Sequence, residues 1–263
     1  MEHELMRILF IGDVIGKPGR EIVASLLPRL TEEHQIDLVI ANSENLAGGF
    51  GVTPAVAEEM FALGVDILTS GNHIWDKKEV EEYITKEQRL LRPMNYPEQA
   101  PGTGSLVLEP GGCPVGVLNL QGRAFMPTID CPFRVGDREI RRLRQRTSLI
   151  FVDFHGEATA EKQAFAWYVD GRVSAVIGSH THVQTADERI LPGGTAYLTD
   201  AGMTGGRDSV IGMSIEEPIA KFVTGLPKKF RPATGTPMLC GVVVEIDERS
   251  GRAMSIVRIQ REP

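Results

Sequence analysis

Cysteine is scarce: Cys113, Cys131 and Cys240 are the only three in 263 residues, far apart and never paired as Cys-x-x-Cys. That excludes a disulfide framework and a thiolate zinc site, and leaves three ordinary buried or half-buried side chains. Long apolar runs are missing too; none approaches the roughly 20 residues needed to cross a bilayer. The opening residues 1–13 lack the basic stretch and small-residue cleavage site of a secretion signal. A soluble, cytoplasmic protein with no membrane partner is expected. Positive charge is in short supply, with 28 Lys and Arg against 35 Asp and Glu and a formal net charge of −7. No global basic field therefore holds this chain on nucleic acid, although bound cations can still draw phosphate to an acidic protein. No GxGxxG fingerprint follows a strand. The segment Gly12 to Pro18 is one residue short between its glycines for a phosphate loop, and Pro18 replaces the needed hydroxyl. Both nucleotide loops are excluded.

What the chain does have is a repeated alternation of short apolar runs and amphipathic stretches. Residues 7–12, 37–42, 66–71, 148–156 and 174–180 read as buried strands. Helical spacing follows the first at 18–34, broken or kinked at Pro28, and the second at 53–64, with Thr53 as N-cap and Gly64 as terminator. A short charged helix is expected over 76–84, a basic one over 137–146 and another over 157–169. Residues 105–122 read as two strands joined by a Pro-Gly-Gly turn, 195–202 as a further strand, and 238 onward as a closing hairpin. Two sheets flanked by helices are implied, and with no linker in view the expectation is one α/β domain over 1–263.

Metal-competent residues fall at a consistent place in this pattern. Asp13, Glu44-Asn45, Asn72-His73, His155 and His180 with His182 each stand at or just past the carboxyl end of one of five strands. Loops converge over that edge in α/β sheets and form binding crevices there. Imidazoles suit Zn, Fe, Mn or Ni, whereas carboxylate and amide oxygens favour harder ions such as Mn. Two such ions about 3.5–4 Å apart can share a hydroxide and clamp a phosphoryl group for in-line displacement.

The order of these blocks resembles the calcineurin-like metallophosphoesterase signature: Gly12-Asp13, Asn42-Ser43-Glu44-Asn45, Gly71-Asn72-His73, His155, and Gly178-Ser179-His180-Thr181-His182. Three departures narrow the likeness. Asp13-Val14-Ile15 lacks the histidine of Asp-x-His, Glu44 replaces an aspartate, and Ile74 replaces the acidic residue after Gly-Asn-His. With them the chain resembles the bacterial YmdB-like branch, which is associated with hydrolysis of cyclic nucleotides, 2′,3′-cyclic nucleotides included, and with RNA-linked regulation. The resemblance implies a four-layer α/β/β/α sandwich of two mixed sheets. It implies two divalent or mixed-valence transition-metal ions, Fe or Mn with Zn as an option. One would be held by Asp13, Glu44, Asn45 and His182, the other by Glu44, Asn72, His155 and His180. Glu44 would bridge them, and His73 would be the catalytic proton donor to the leaving alkoxide.

Plainer readings stand beside these. Asp13 and Asn72 are also turn-formers, His73 can be incidental, and His155 can be a hydrogen-bonded core histidine. His3 and His34 match no motif and read as solvated. The arginines at 138, 141, 142, 144 and 146 can steer RNA, but such a run is more often a solvated helix face. Arg123 and the segment Thr204 to Arg207 are weaker candidates for substrate contact. Residues 195–235 can cover the site or make a homo-oligomer contact. Two other functions fit the same residues: a phosphomonoesterase acting on nucleotides or phosphoproteins, and a metal-stabilised regulatory or RNA-associated protein with little turnover.

Overall fold

Residues 8–12, 38–42 and 67–71, which the sequence marks as strands or strand ends, are all buried, in a sheet covered on both faces; that burial explains their largely apolar character. The computed structural model describes residues 4–263, so His3 lies outside the described residues. In chain order, the first half holds β1 (Leu5–Ile11), β2 (Asp13–Val14), α1 (Gly16–His34), β3 (Leu38–Asn42), α2 (Pro54–Ala62), β4 (Ile67–Thr69), α3 (Val80–Tyr83), β5 (Ser105–Leu108) and β6 (Val115–Gln121). The second half holds α4 (Pro132–Leu143), β7 (Leu149–His155), α5 (Thr159–Val169), β8 (Ala175–Ser179), β9 (Arg189–Ile190), β10 (Ala196–Leu198), β11 (Met203–Gly206), α6 (Glu216–Thr224), β12 (Pro237–Asp247) and β13 (Ala253–Arg261).

One sheet runs β2-β11-β12-β1-β3-β4, with β13 also on β12; the other runs β5-β6-β7-β8-β10-β9. Each is mixed. β1, β3 and β4 are parallel while β12 is antiparallel to β1, and β6, β7, β8 and β10 are parallel while β5 is antiparallel to β6. Phe10, Ile40 and Ile67 meet Val117, Phe151 and Ile177 between the sheets, with the Phe10 and Phe151 ring centres 5.4 Å apart. The outer face of the first sheet packs on Ile22, Val23, Leu26 and Leu30 of α1. That of the second packs on Ile140 and Leu143 of α4 and Phe165 and Val169 of α5. The result is the expected four-layer α/β/β/α sandwich.

The parallel registers position the site. Ile11 lies opposite Ala41, and Asn42 opposite Thr69; Gln121 lies opposite His155, and His155 opposite Ser179. The residues that follow these pairs therefore emerge together at one edge.

Several local expectations need correction. α1 runs unbroken through Pro28. Pro28 and Ala24, whose carbonyl loses its helical partner, both lie on the exposed side, where water can replace that bond, and the buried stripe holds the helix together. The helix expected over 76–84 shrinks to Val80–Tyr83, because the preceding residues fold as turns. The basic helix starts earlier, at Pro132, and stops at Leu143. β2, β9, β11 and α6 were not anticipated; the strands are short, and most apolar side chains of α6 are exposed, so periodicity does not reveal them.

Candidate metal centre

Asp13, in β2, comes after the chain passes Gly12, where a Cβ would lie 2.0 Å from the Gly202 carbonyl oxygen. Glu44 and Asn45 follow β3, Asn72 and His73 follow β4, His155 ends β7, and His180 and His182 follow β8. The structure brings all eight to one edge. Ligand atoms of Glu44, His155 and His180 lie within 4.8 Å of one another, as do those of Asp13, Glu44 and His182. Glu44 belongs to both groups. Its Oε1 is 3.2 Å from His155 Nε2, which is 3.2 Å from Asn72 Oδ1 and 3.0 Å from His180 Nδ1. Such close packing needs a glycine at position 71, where a Cβ would fall 2.1 Å from the His155 ring and 2.4 Å from Glu44 Oε2.

The three clustered imidazoles share one feature: the outer nitrogen is engaged and the inner one faces the carboxylates. His155 Nδ1 is 2.9 Å from Ser179 Oγ, and Ser179 Oγ donates to Asp153 at 2.6 Å. Since that hydroxyl hydrogen is committed, the hydroxyl accepts from His155 Nδ1–H and leaves the Nε2 lone pair inward. His180 Nε2 lies 3.3 Å from Glu157, and His182 Nδ1 donates to the Ile211 carbonyl at 2.8 Å. An outer hydrogen bond of this kind fixes tautomer and ring orientation in metal-binding histidines. Asp13 Oδ1 is buried with no hydrogen-bond partner, and His182 Nε2 stands off at 3.6 Å. A buried carboxylate oxygen without a donor is costly unless a cation meets it. The donor set fits metal ions.

Charge in the cluster is correspondingly uneven. Burial opposes ionisation of Asp13, but the His182 and His155 imidazoles and the His180 N–H hold its carboxyl far below the usual range. Burial likewise works against Glu44, yet His155 lowers it. His182 is lifted against its burial by Asp13, to about 9, whereas burial and neighbouring His155 push His180 down to about 3. Two buried carboxylates thus demand positive charge that three adjacent imidazoles cannot all supply.

The loop after β8 is held in an unusual shape. His180 and His182 have φ of 101° and 65°, a region that non-glycine residues occupy at a cost of about 1–3 kcal/mol each. His180 N–H donates to Asp13 at 3.1 Å, Thr181 N–H donates to Asp200 at 3.0 Å, and Lys162 donates to the Ser179 carbonyl at 2.7 Å. Sequence reasoning missed Asp153, Ser179, Lys162 and Asp200. A signal existed for Asp153: it stands two residues before His155 in an apolar strand, hence on the same face. Lys162 and Asp200 gave none.

Other candidates fall outside. Arg123 is exposed, and only its backbone is anchored, on Glu161. Thr204 to Gly206 are buried in β11, and Arg207 pairs with Asp208 and Glu262. In the basic helix, Arg138, Arg141 and Arg142 pair with Glu98, Asp137 and Glu139. That end of α4 leads into the start of β7, at the edge opposite His155. His34 is half-buried beside Glu33, not freely solvated. His73 stands at the rim, its Nδ1 2.8 Å from Asp76 and its backbone N–H donating to Glu44 at 3.1 Å. A cavity of about 420 Å³ opens over Glu44, Asn45, His73, His180 and His182. A wider depression of about 980 Å³ beside Glu79, Glu82 and Lys86 holds solvated charges and no such cluster.

The family model for YmdB-like proteins matches residues 9–259. The chain belongs to the YmdB-like family. It is 49% identical, over 97% of its own length and 96% of the other's, to the 2′,3′-cyclic-nucleotide 2′-phosphodiesterase of Bacillus subtilis. A crystal structure of a Thermus thermophilus protein superposes with a TM-score of 0.92 at 42% identity, covering 98% of this chain and 99% of that one. That of a novel phosphatase from Mycoplasma pneumoniae gives 0.93 at 36% identity, covering 99% and 95%. This YmdB-like protein is an enzyme of the phosphodiesterase and phosphatase class, with the architecture its motifs imply. Among the described residues, no helix is long and apolar enough to cross a membrane.

Proposed function

We propose that the protein hydrolyses nucleoside 2′,3′-cyclic phosphates at a dinuclear metal centre, with water cleaving the P–O2′ bond to leave a 3′-phosphate and a free 2′-hydroxyl. The observation that carries the metal reading is the inward convergence of His155 Nε2 and His180 Nδ1 on Glu44, which also stands with Asp13 and His182. The substrate follows from the B. subtilis relative. Asp13, Glu44, Asn45 and His182 would hold one ion, and Glu44, Asn72, His155 and His180 the other, with Glu44 shared. Asn45 now turns its Nδ2 toward His182 Nε2 at 3.3 Å; inverting the amide presents its oxygen instead. Fe or Mn suits this mixed donor set, with Zn acceptable. When bound, the ions supply a nucleophile at neutral pH and offset phosphoryl charge.

The protein's own groups do the rest. His73 lines the cavity outside both clusters. Asp76, 2.8 Å from Nδ1, orients its ring so that the Nε2 edge delivers a proton to the departing 2′-oxygen. Ser179, Glu157 and the Ile211 carbonyl keep the three inner nitrogens aimed.

The test is hydrolysis of adenosine 2′,3′-cyclic phosphate by protein of measured metal content, with and without chelator. Turnover that tracks about two ions per chain is expected; a fully metallated protein inert on cyclic nucleotides and simple diesters would sink the proposal. The similar M. pneumoniae structure is that of a phosphatase, which favours a monoesterase as the second reading. A strong preference for p-nitrophenyl phosphate over bis-p-nitrophenyl phosphate would select it.

A further inference from the structure

The cavity over the metal cluster has two unlike sides. Its floor is the histidine and carboxylate group, and its wall is apolar: Phe50, Ile211, Met213, Phe222 and Phe230, with the ammonium of Lys221 among them. We propose that this wall is a nucleobase subsite, on which the base of a cyclic nucleotide stacks while its phosphate meets the floor. The inference rests on the phosphodiesterase reading above.

The wall is built, not incidental. Phe50 and Phe230 pack half-buried against Ile15, Met203 and Met213. Met213 bridges to both Val210 and Pro232, and Ser214 N–H donates to the Arg231 carbonyl at 2.8 Å. The wall is also joined to the floor, because the Ile211 carbonyl accepts from His182 and the Phe50 ring stands edge-on to His73 at 5.3 Å. Phe222, at the mouth on α6, is 82% exposed, an arrangement that leaves its face open to a planar ligand. Lys221 Nζ lies 5.1 Å from the centre of the Phe230 ring and forms no ion pair with a carboxylate among the described residues. An anionic ligand with a flat aromatic part satisfies both features.

Size selects the occupant. About 420 Å³ lies within the range of small-ligand pockets and suits one nucleotide rather than a folded partner. Apart from Lys221, the wall offers no side chain that reads base edges, and stacking on aromatic faces tolerates every base. The subsite should therefore favour a base without choosing strongly among bases.

The deciding comparison is kcat/KM for adenosine 2′,3′-cyclic phosphate against 1-O-methylribose 2,3-cyclic phosphate, which keeps the reacting ring and lacks the base. The metal-loaded wild type should prefer the nucleotide about tenfold or more, and Phe222→Ala should remove most of that preference through KM. Because Phe222 is exposed, its truncation leaves the fold intact; Phe230→Leu, checked by circular dichroism, is the second variant. Calorimetric binding of adenosine 3′-monophosphate should weaken in both variants. Equal use of the two esters by the wild type would overturn the subsite while leaving the phosphodiesterase standing. So would an unaltered preference in Phe222→Ala accompanied by a changed mass in light scattering, which would mark α6 as a contact between copies. Inertness toward both esters would instead remove the phosphodiesterase reading, and the subsite with it.

Discussion

Lys162 and Asp200 form a fully buried ion pair, Nζ to Oδ2 at 2.8 Å, directly behind the loop that carries His180 and His182. Lys162 reaches it from α5 and also holds the Ser179 carbonyl, while Asp200 accepts the N–H groups of Thr181 and Gly202. One charge pair thereby fastens both sides of a strained turn. Lys162→Met leaves Asp200 without its cation and is expected to cost about 3–5 kcal/mol in urea denaturation. A loss within about 0.5 kcal/mol would show that the turn holds its shape unaided.

In the proposed mechanism His73 separates proton transfer from metal binding. His73→Ala should retain the metal content of the wild type yet lose roughly 10²- to 10⁴-fold in kcat on esters with poor leaving groups. The loss should shrink with p-nitrophenyl esters, whose leaving group needs no proton. Metal analysis beside a leaving-group series checks this; parallel loss of metal and turnover would make His73 a ligand or scaffold residue.

Gly71 tests the packing of the centre. A methyl group there would overlap the His155 ring and Glu44, with no flexible chain end to yield. Gly71→Ala should lower metal stoichiometry together with thermal stability. Retention of both would mean that the Asn72 turn can move aside.

Away from the site, Glu139 gives a pH signature. It is buried and accepts from Arg142 Nε at 2.9 Å and from Ser105 at 2.5 Å. Burial opposes its ionisation, yet Arg142 and Ser105 bring its carboxyl below the ordinary value of 4.5. The shift is downward, so the stabilisation is present above that value and fades as pH falls through the lower native one. Glu139→Gln should cost about 1–3 kcal/mol at pH 7, and the gap from wild type should narrow below pH about 4. Urea denaturation across pH measures it; a constant gap would remove the ionised carboxylate from the account.

The correspondence between sequence and structure is uneven for physical reasons. Residues 7–12, 37–42 and 148–156 announce themselves as strands because both faces are buried, and burial leaves a compositional mark. Asp13, Glu44, Asn72, His155, His180 and His182 were legible because parallel strands deliver their following residues to one edge. Pro28 misled, since its cost depends on which side of the helix faces water. α6 was invisible because Ile219, Phe222 and Val223 stay exposed and so carry no core periodicity.

The sequence by itself determined the alternation of strands and helices and the chemistry of the donor set, both properties of residue type and order. Only the tertiary structure decided that Asp153, Ser179, Lys162 and Asp200 support the centre and that α6 lines its mouth. Those contacts join segments far apart in the chain, and their meaning lies in distance and burial, which local pattern does not encode.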